Sequence, residues 1–206
     1  MKKNTVAEAV RDIRCGRMVV VVDDRDRENE GDLILAAEHA NAQAINFMIT
    51  EARGLVCLTL TSDRAKALKL APMVKNNTAR HHTNFTVSVD AAKGITTGIS
   101  VRDRALTIAT ALNPRSRPQD LHRPGHVFPL VAARGGVLER AGHTEASIEL
   151  ATLAGCTPAG VLCEILNARG ESARGADLKK FAEQHGLIVL TIMELVQFLR
   201  TNKKLV

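Results

Sequence analysis

The chain has 206 residues, 45% apolar and 24% charged, with 14 Gly and 6 Pro, the balance of one globular domain and not of a disordered or fibrous chain. A domain of this size buries roughly 70% of the surface its unfolded chain exposes, so it needs neither disulfides nor a structural metal to stand. Five Phe with no Trp or Tyr leave the core to aliphatic side chains and offer almost no stacking platform for single-stranded nucleic acid.

The net charge of +6 favours anionic partners. Cys15, Cys57, Cys156 and Cys163 show no C-x-x-C spacing, so they read as reduced thiols and not as a zinc ribbon or a disulfide framework. Glu8, Arg11 and Asp12 interrupt any apolar stretch near the N-terminus that could act as a signal peptide or span. A cytoplasmic protein with no membrane partner is expected.

Thr5 and Glu8 have capping-box spacing, and Val6, Ala9, Val10 and Ile13 share one helical face before Gly16, which predicts a first helix. Residues 18–22 are apolar on both faces and β-branched, a buried strand. After the charged stretch 23–32, a strand is predicted over 33–37, a helix marked by Ile45, Met48, Ile49 and Ala52, a strand over 55–60 and a short helix over 62–70. Residues 85–89 read as a strand, and Ser100 with Asp103 opens a helix that Pro114 ends. A polar loop is expected over 113–125, a strand over 127–132, a turn at Gly135 and Gly136, and a helix over 144–153 stopped by Gly155. A strand over 161–166, a helix over 177–185, a strand over 187–190 and a helix capped by Thr191 and Glu194 complete the pattern. Strands and helices alternate, yet the runs 18–22 and 33–37 have no helix between them. The expected fold is therefore α/β (α+β), one domain over 1–206, with a mixed twisted sheet and helices on both faces.

Residues 23–32 hold six carboxylates and two guanidiniums, a local charge of −4. In a strand Asp24, Asp26, Glu28, Glu30 and Asp32 would share one face and repel, so an irregular loop is expected between two strands. Without a fixed counterion it is expected to be mobile until substrate arrives. An EF-hand register starting at Asp26 fails at Ala37, where a bidentate Glu is required. One or two carboxylates holding Mg²⁺ together with substrate oxygens fit better.

Arg140-Ala141-Gly142-His143-Thr144-Glu145 leads into a helix; free N–H groups there attract phosphate, Arg140 can fork it, and Thr144 is a candidate N-cap. His143 is a candidate metal ligand completing a set begun in the acidic loop. His122 to His126 read as a rigid turn at the mouth of a strand. Glu164 interrupts an apolar run, where burial would suit it to proton transfer; a salt bridge to a buried Arg is the competing explanation. His81-His82 looks like a metal pair, but adjacent side chains in a strand diverge.

Six blocks carry a resemblance. They are Asp23-Asp24 with residues 26–32, Phe85-Thr86-Val87, Gly94-Ile95-Thr96-Thr97-Gly98, the run from Arg123 to Leu130, Gly142-His143-Thr144-Glu145-Ala146, and the run from Pro158 to Glu164. In order and spacing these resemble the 3,4-dihydroxy-2-butanone 4-phosphate synthase family of riboflavin biosynthesis. The resemblance implies conversion of D-ribulose 5-phosphate to L-3,4-dihydroxy-2-butanone 4-phosphate and formate. It also implies Mg²⁺ or Mn²⁺, two ions per site, and a homodimer with sites near the subunit interface. Carried over by position, Glu28 and His143 would bind metal. Arg27, Asp32, Thr97, Arg140, Ala141, Gly142 and Thr144 would hold substrate with them, and His126 and Glu164 would serve the chemistry, with Asp32 as the base. Cys57 would line the site. Some relatives continue into a zinc-dependent GTP cyclohydrolase domain; that second activity is expected to be absent here. A metal-dependent sugar-phosphate isomerase or aldolase and a basic RNA-binding module are the competing functions, and the placement of the carboxylates speaks against the second.

Overall fold

The structure is a computed structural model that describes residues 5–24 and 26–202. Seven strands form one mixed sheet: β1 (Val19–Val22), β2 (Gly31–Ala36), β3 (Cys57–Leu60), β4 (Val89–Ala91), β5 (Leu121–Val131), β6 (Ala159–Glu164) and β7 (Ile188–Thr191). Their spatial order is β4-β5-β3-β6-β2-β1-β7. The pairs β3/β5 and β1/β7 are parallel, and the others are antiparallel. The helices are α1 (Val6–Arg14), α2 (Ala42–Phe47), α3 (Ser62–Ala67), α4 (Val101–Leu112), α5 (Gly136–Glu139), α6 (His143–Leu153), α7 (Ala176–His185) and α8 (Ile192–Thr201).

Period-two alternation along the central strands divides the core into two layers. Val20, Leu33, Leu35, Val161 and Cys163 pack with Ile45, Ile108 and Leu178 from α2, α4 and α7. Val19, Val21, Ile34, Cys57 and Leu162 pack with Ile13, Leu150 and Leu195 from α1, α6 and α8. Helices cover both faces, as the pattern predicts. The capping boxes at Thr5/Glu8 and Thr191/Glu194 are both formed.

Several boundaries differ from expectation. The strand predicted from 33 starts at Gly31, because Gly31 pairs with Val22 and its carbonyl accepts from Ile165 N at 2.9 Å; Asp32 therefore lies in a strand and not in the acidic loop. The helix predicted to reach Ala52 changes at Met48 into a π-helical turn ending at Arg53, whose φ is 71°. The expected strand 85–89 is reduced to bridges at Phe85 and Thr86 followed by β4. The expected loop before residue 127 already belongs to β5 from Leu121. Between β4 and β5 the register jumps from Val89↔Val127 to Asp90↔His122, so the Pro124-Gly125 turn is a bulge inside a strand.

Leu150 is fully buried and holds α6 on the sheet. Leu150→Ala is expected to cost about 2–5 kcal/mol by transfer loss plus cavity. Urea unfolding checks this, and a loss below about 1 kcal/mol would mean that α6 is not anchored there.

Candidate active site

The centre of the site is set by strand register. β2 and β6 run antiparallel with Asp32 directly opposite Glu164. Asp32 shares its face with Ile34 and Glu164 with Leu162, and both apolar residues belong to the layer under α6. The first residue of α6, His143, lies above the pair, with Nδ1 3.8 Å from Asp32 Oδ2. Burial, followed by Glu164 and Glu28, holds the Asp32 carboxyl well above its ordinary value. Glu164 has a partner other than the Arg considered from sequence: Leu55 N donates to its Oε2 at 2.8 Å. Gly54 is required beside it, since a Cβ there would lie 2.3 Å from Glu164 O and 2.8 Å from Oε2.

The acidic loop is organised from inside. Asp23, whose side chain is 0% exposed, accepts from Glu28 N at 3.1 Å, Glu30 N at 2.8 Å and Arg27 Nη1 at 2.7 Å. Arg27 also donates to Glu28 Oε2 at 2.6 Å. Arg27 thus ties Asp23 to Glu28 within the loop, and Arg174 Nη2 donates to Glu30 Oε1 at 2.9 Å from outside it.

Asp23, Glu28 and His143 each offer a ligand atom, all within 4.8 Å of one another. His143 Nε2 is buried without a hydrogen-bond partner, and burial lowers the pKa of the ring, so the imidazole is neutral near pH 7 and has a lone pair to give. Carboxylate oxygens with one imidazole suit Mg²⁺ or Mn²⁺. The residues fit a divalent ion. Glu28 and His143 were both singled out by sequence, whereas Asp23 was missed as a candidate ligand because it looks like any other acid in the run.

A cavity of about 150 Å³ connects these groups, lined by Arg27, Glu28, Asp32, Arg140, His143, Thr144, Glu164 and Cys57 among others. Glu30, Thr83 and Phe85 also line it, although sequence reasoning gave them no role. Ala141 and Gly142 do not line the cavity. Arg140 donates to Glu145 Oε2 at 2.7 Å, His81 O at 3.1 Å and Thr83 Oγ1 at 3.3 Å, which leaves two of the five guanidinium N–H donors uncommitted. The N-cap of α6 is Gly142 and not Thr144, with no side chain capping the first turn. A Cβ at Gly142 would lie 2.4 Å from Arg140 Nη1, so glycine is what lets the Arg140–Glu145 pair cross the helix start. His81 Nε2 lies 3.6 Å from Glu28 Oε1, closer to the site than its sequence context suggests. Burial, then Glu164 and Asp32, raise the Cys57 thiol well above its ordinary value, leaving it a protonated wall residue.

Thr97 and His126 do not line this cavity. His126 Nδ1 is 2.7 Å from Asp90 Oδ2, and its backbone N donates to Asp90 Oδ1 at 2.9 Å. Thr97 is exposed, between Thr96 N and Gly98 N, which both donate to Asp103 Oδ2. Gly98 adjoins the His126 ring, so the two residues form a second cluster near β4 and β5.

A beside-lying cavity of about 960 Å³ shares Thr83 and Phe85 but has no carboxylate, imidazole or thiol in its lining. Its charged lining is Lys66 and Lys75.

Residues 7–198 match the family model for 3,4-dihydroxy-2-butanone 4-phosphate synthase. The chain belongs to this family. It is 56% identical over 207 residues to the riboflavin biosynthesis protein RibBA of Aquifex aeolicus, which covers 100% of this chain and 51% of that protein. It is 53% identical over 193 residues to the 3,4-dihydroxy-2-butanone 4-phosphate synthase of Neisseria meningitidis serogroup B, covering 94% of this chain and 53% of that one. The chain thus spans about half the length of these curated relatives. Among solved structures it is similar to a synthase crystallised with two magnesium ions, with a TM-score of 0.90 and 40% identity over 98% of this chain and 100% of that one. It is also similar to a two-domain synthase from A. baumannii, with a TM-score of 0.93 and 53% identity over 97% of this chain and 59% of that one. The fold expected from the sequence is the fold of this synthase family.

A raised carboxyl pKa has a thermodynamic consequence. The folded state binds the Asp32 proton more tightly than the unfolded state, so this contribution to stability is full below the ordinary value of 3.8 and is lost as pH rises through the folded value. In metal-free protein, Asp32→Asn is expected to raise the urea midpoint more at pH 8 than at pH 5. A gain that does not change with pH would contradict a buried Asp32 carboxyl facing other carboxylates.

Proposed function

We propose that the chain converts D-ribulose 5-phosphate to L-3,4-dihydroxy-2-butanone 4-phosphate and formate, using Mg²⁺ or Mn²⁺, two ions per site, as a cytoplasmic homodimer. The observation that carries this reading is the convergence of Asp23, Glu28 and His143 beside the Asp32/Glu164 pair. A bound divalent pair supplies Lewis acidity to the substrate's ketone and hydroxyls and stabilises the charge that enolisation leaves. Asp32 takes the C3 proton, a role that suits a carboxyl held well above its ordinary pKa by burial and the neighbouring Glu164 and Glu28. Glu164, steadied by Leu55 N, carries protons for loss of the C1 hydroxyl, migration of the terminal carbon fragment and hydrolytic release of C4 as formate. Arg140 meets the phosphate with its two uncommitted donors, and the uncapped first turn of α6 adds free N–H groups. Binding energy from the phosphate orients a small, flexible sugar over Asp32.

The homodimer completes the site. The cavity of one protomer, about 150 Å³, is smaller than the roughly 300 Å³ at the low end for small-molecule sites. Leu55, Met73 and Val74 are exposed by 42%, 42% and 53% close to its lining: Leu55 N holds Glu164, and Met73 N donates to Phe85 O at 2.9 Å. A second copy covering these apolar side chains brings its own Thr97 and His126 to the open side, with His126 oriented by Asp90.

The primary test is formate detection with purified protein, ribulose 5-phosphate and Mg²⁺. Glu28→Ala and His143→Ala are each expected to abolish formate release with the fold retained by circular dichroism. Wild-type turnover after exhaustive chelation would contradict the metal role, and a sugar-phosphate product without formate would favour an isomerase or aldolase. Mixing inactive His126→Ala with inactive Glu28→Ala is expected to restore about a quarter of wild-type activity, since random pairing gives half heterodimers with one intact site each. No recovery after subunit exchange would contradict completion of the site by the partner.

A further inference from the structure

At the other ends of β2 and α6 a second group of donor side chains converges. Glu38 and His39 follow the end of β2, and Cys156 follows the end of α6. One ligand atom from each lies within 4.8 Å of the other two, and Cys156 Sγ is 4.0 Å from His39 Nε2. At a tetrahedral zinc with bonds of about 2.3 Å to sulfur and 2.05 Å to nitrogen, the same two atoms would be about 3.6 Å apart. The side chains therefore need to shift by only a few tenths of an ångström.

Each donor is oriented by its surroundings. Glu38 Oε2 accepts from Thr157 N at 2.7 Å, which fixes the carboxylate, and the Cys156 thiol already hydrogen-bonds this carboxylate. The His39 ring packs on Gly16, where a Cβ would meet its Cγ at 3.3 Å and Nδ1 at 3.4 Å, so Nε2 is the nitrogen turned toward the thiol. Gly155, with φ of 76°, turns the chain after α6 and delivers Cys156. Arg14, whose Nε donates to Ala154 O at 2.9 Å, supplies positive charge near the sulfur. A groove of about 680 Å³ lined by Cys15, Gly16, Glu38 and His39 gives a path from solvent.

We propose that Glu38, His39 and Cys156 form a second metal site, for a borderline-soft divalent ion of the Zn²⁺ class, with water as the fourth ligand. The donor sets divide the two sites by chemistry. Oxygen and one imidazole at Glu28 and His143 suit a hard ion, whereas a thiolate selects against Mg²⁺ and for zinc. Burial and then Glu38 raise the Cys156 thiol, so the metal-free thiol carries its proton, and binding releases that proton to the buffer as the S–Zn bond forms. The ion ties the end of β2 to the end of α6. The opposite ends of these two elements carry Asp32 and His143, about 16 Å away along an 11-residue helix. The bound ion is therefore a clip on the two elements that position the catalytic groups.

Co²⁺ added to the full chain in saturating Mg²⁺ tests this, because a thiolate ligand gives cobalt a near-ultraviolet charge-transfer band that oxygen and nitrogen ligands do not. The band is expected in the wild type, Cys15→Ser and Cys57→Ser proteins, and one equivalent of Zn²⁺ should abolish it with release of Co²⁺. Losing an outer-shell partner already costs about 10- to 100-fold in affinity, so Cys156→Ser and His39→Ala should bind Co²⁺ at least about 100-fold more weakly. Zn²⁺ should raise the Tm of the wild type and leave that of Cys156→Ser unchanged. No band in the wild type, or a band that persists in Cys156→Ser, would overturn the proposal whether or not any variant folds poorly.

Discussion

The site depends on a single like-charge constraint. The β2/β6 register places two carboxylates opposite each other on neighbouring strands, and α6 covers them with a buried imidazole that burial keeps neutral. Directly opposed like charges destabilise a sheet, and here Asp32 is also withdrawn from water, while Glu164 is only half-buried. Of the two guanidiniums among the described residues that line the cavity, Arg27 is engaged by Asp23 and Glu28 and Arg140 by Glu145. The remaining negative charge is compensated either by a proton on Asp32 or by a cation from solution. A protein that keeps this arrangement gives up stability in its metal-free state and gains a preformed place for a divalent ion. This is the expected exchange at a catalytic centre.

The elements with local punctuation were legible in the sequence. α1 and α8 announce themselves by capping boxes, and β1 by an uninterrupted valine run between charged residues. The strand start at Gly31 and the bulge in β5 were not legible, because both are decided by partners distant in sequence: Ile165 N bonding to Gly31 O, and β4 accommodating the extra residues around Pro124. Local rules read Pro124-Gly125 correctly as a turn but have no means of placing that turn inside a ladder.

The same division holds for the site. Arg140, His143 and Glu164 could be named from residue type and spacing, Glu28 and Asp32 only through the family resemblance, and all five line one cavity. Asp23 could not be distinguished among six neighbouring acids until its buried side chain was found gathering the loop's N–H groups. Cysteine spacing excluded a zinc ribbon, yet it could not exclude a site assembled from the adjacent Glu38 and His39 with Cys156, which lies more than a hundred residues further on and meets them because β2 and α6 pack together. Thr97 and His126 are legible as residues of interest through the family resemblance, yet they lie beside β4 and β5 and do not line that cavity.

Anomalous diffraction from crystals of the protein grown with Mn²⁺ tests the central arrangement most directly, since it locates the ion independently of turnover. The account predicts an anomalous peak within about 2.2 Å of a Glu28 oxygen and a His143 ring nitrogen, bordered by Asp32. Manganese bound elsewhere, with Glu28 and His143 left uncoordinated at saturating concentration, would contradict it.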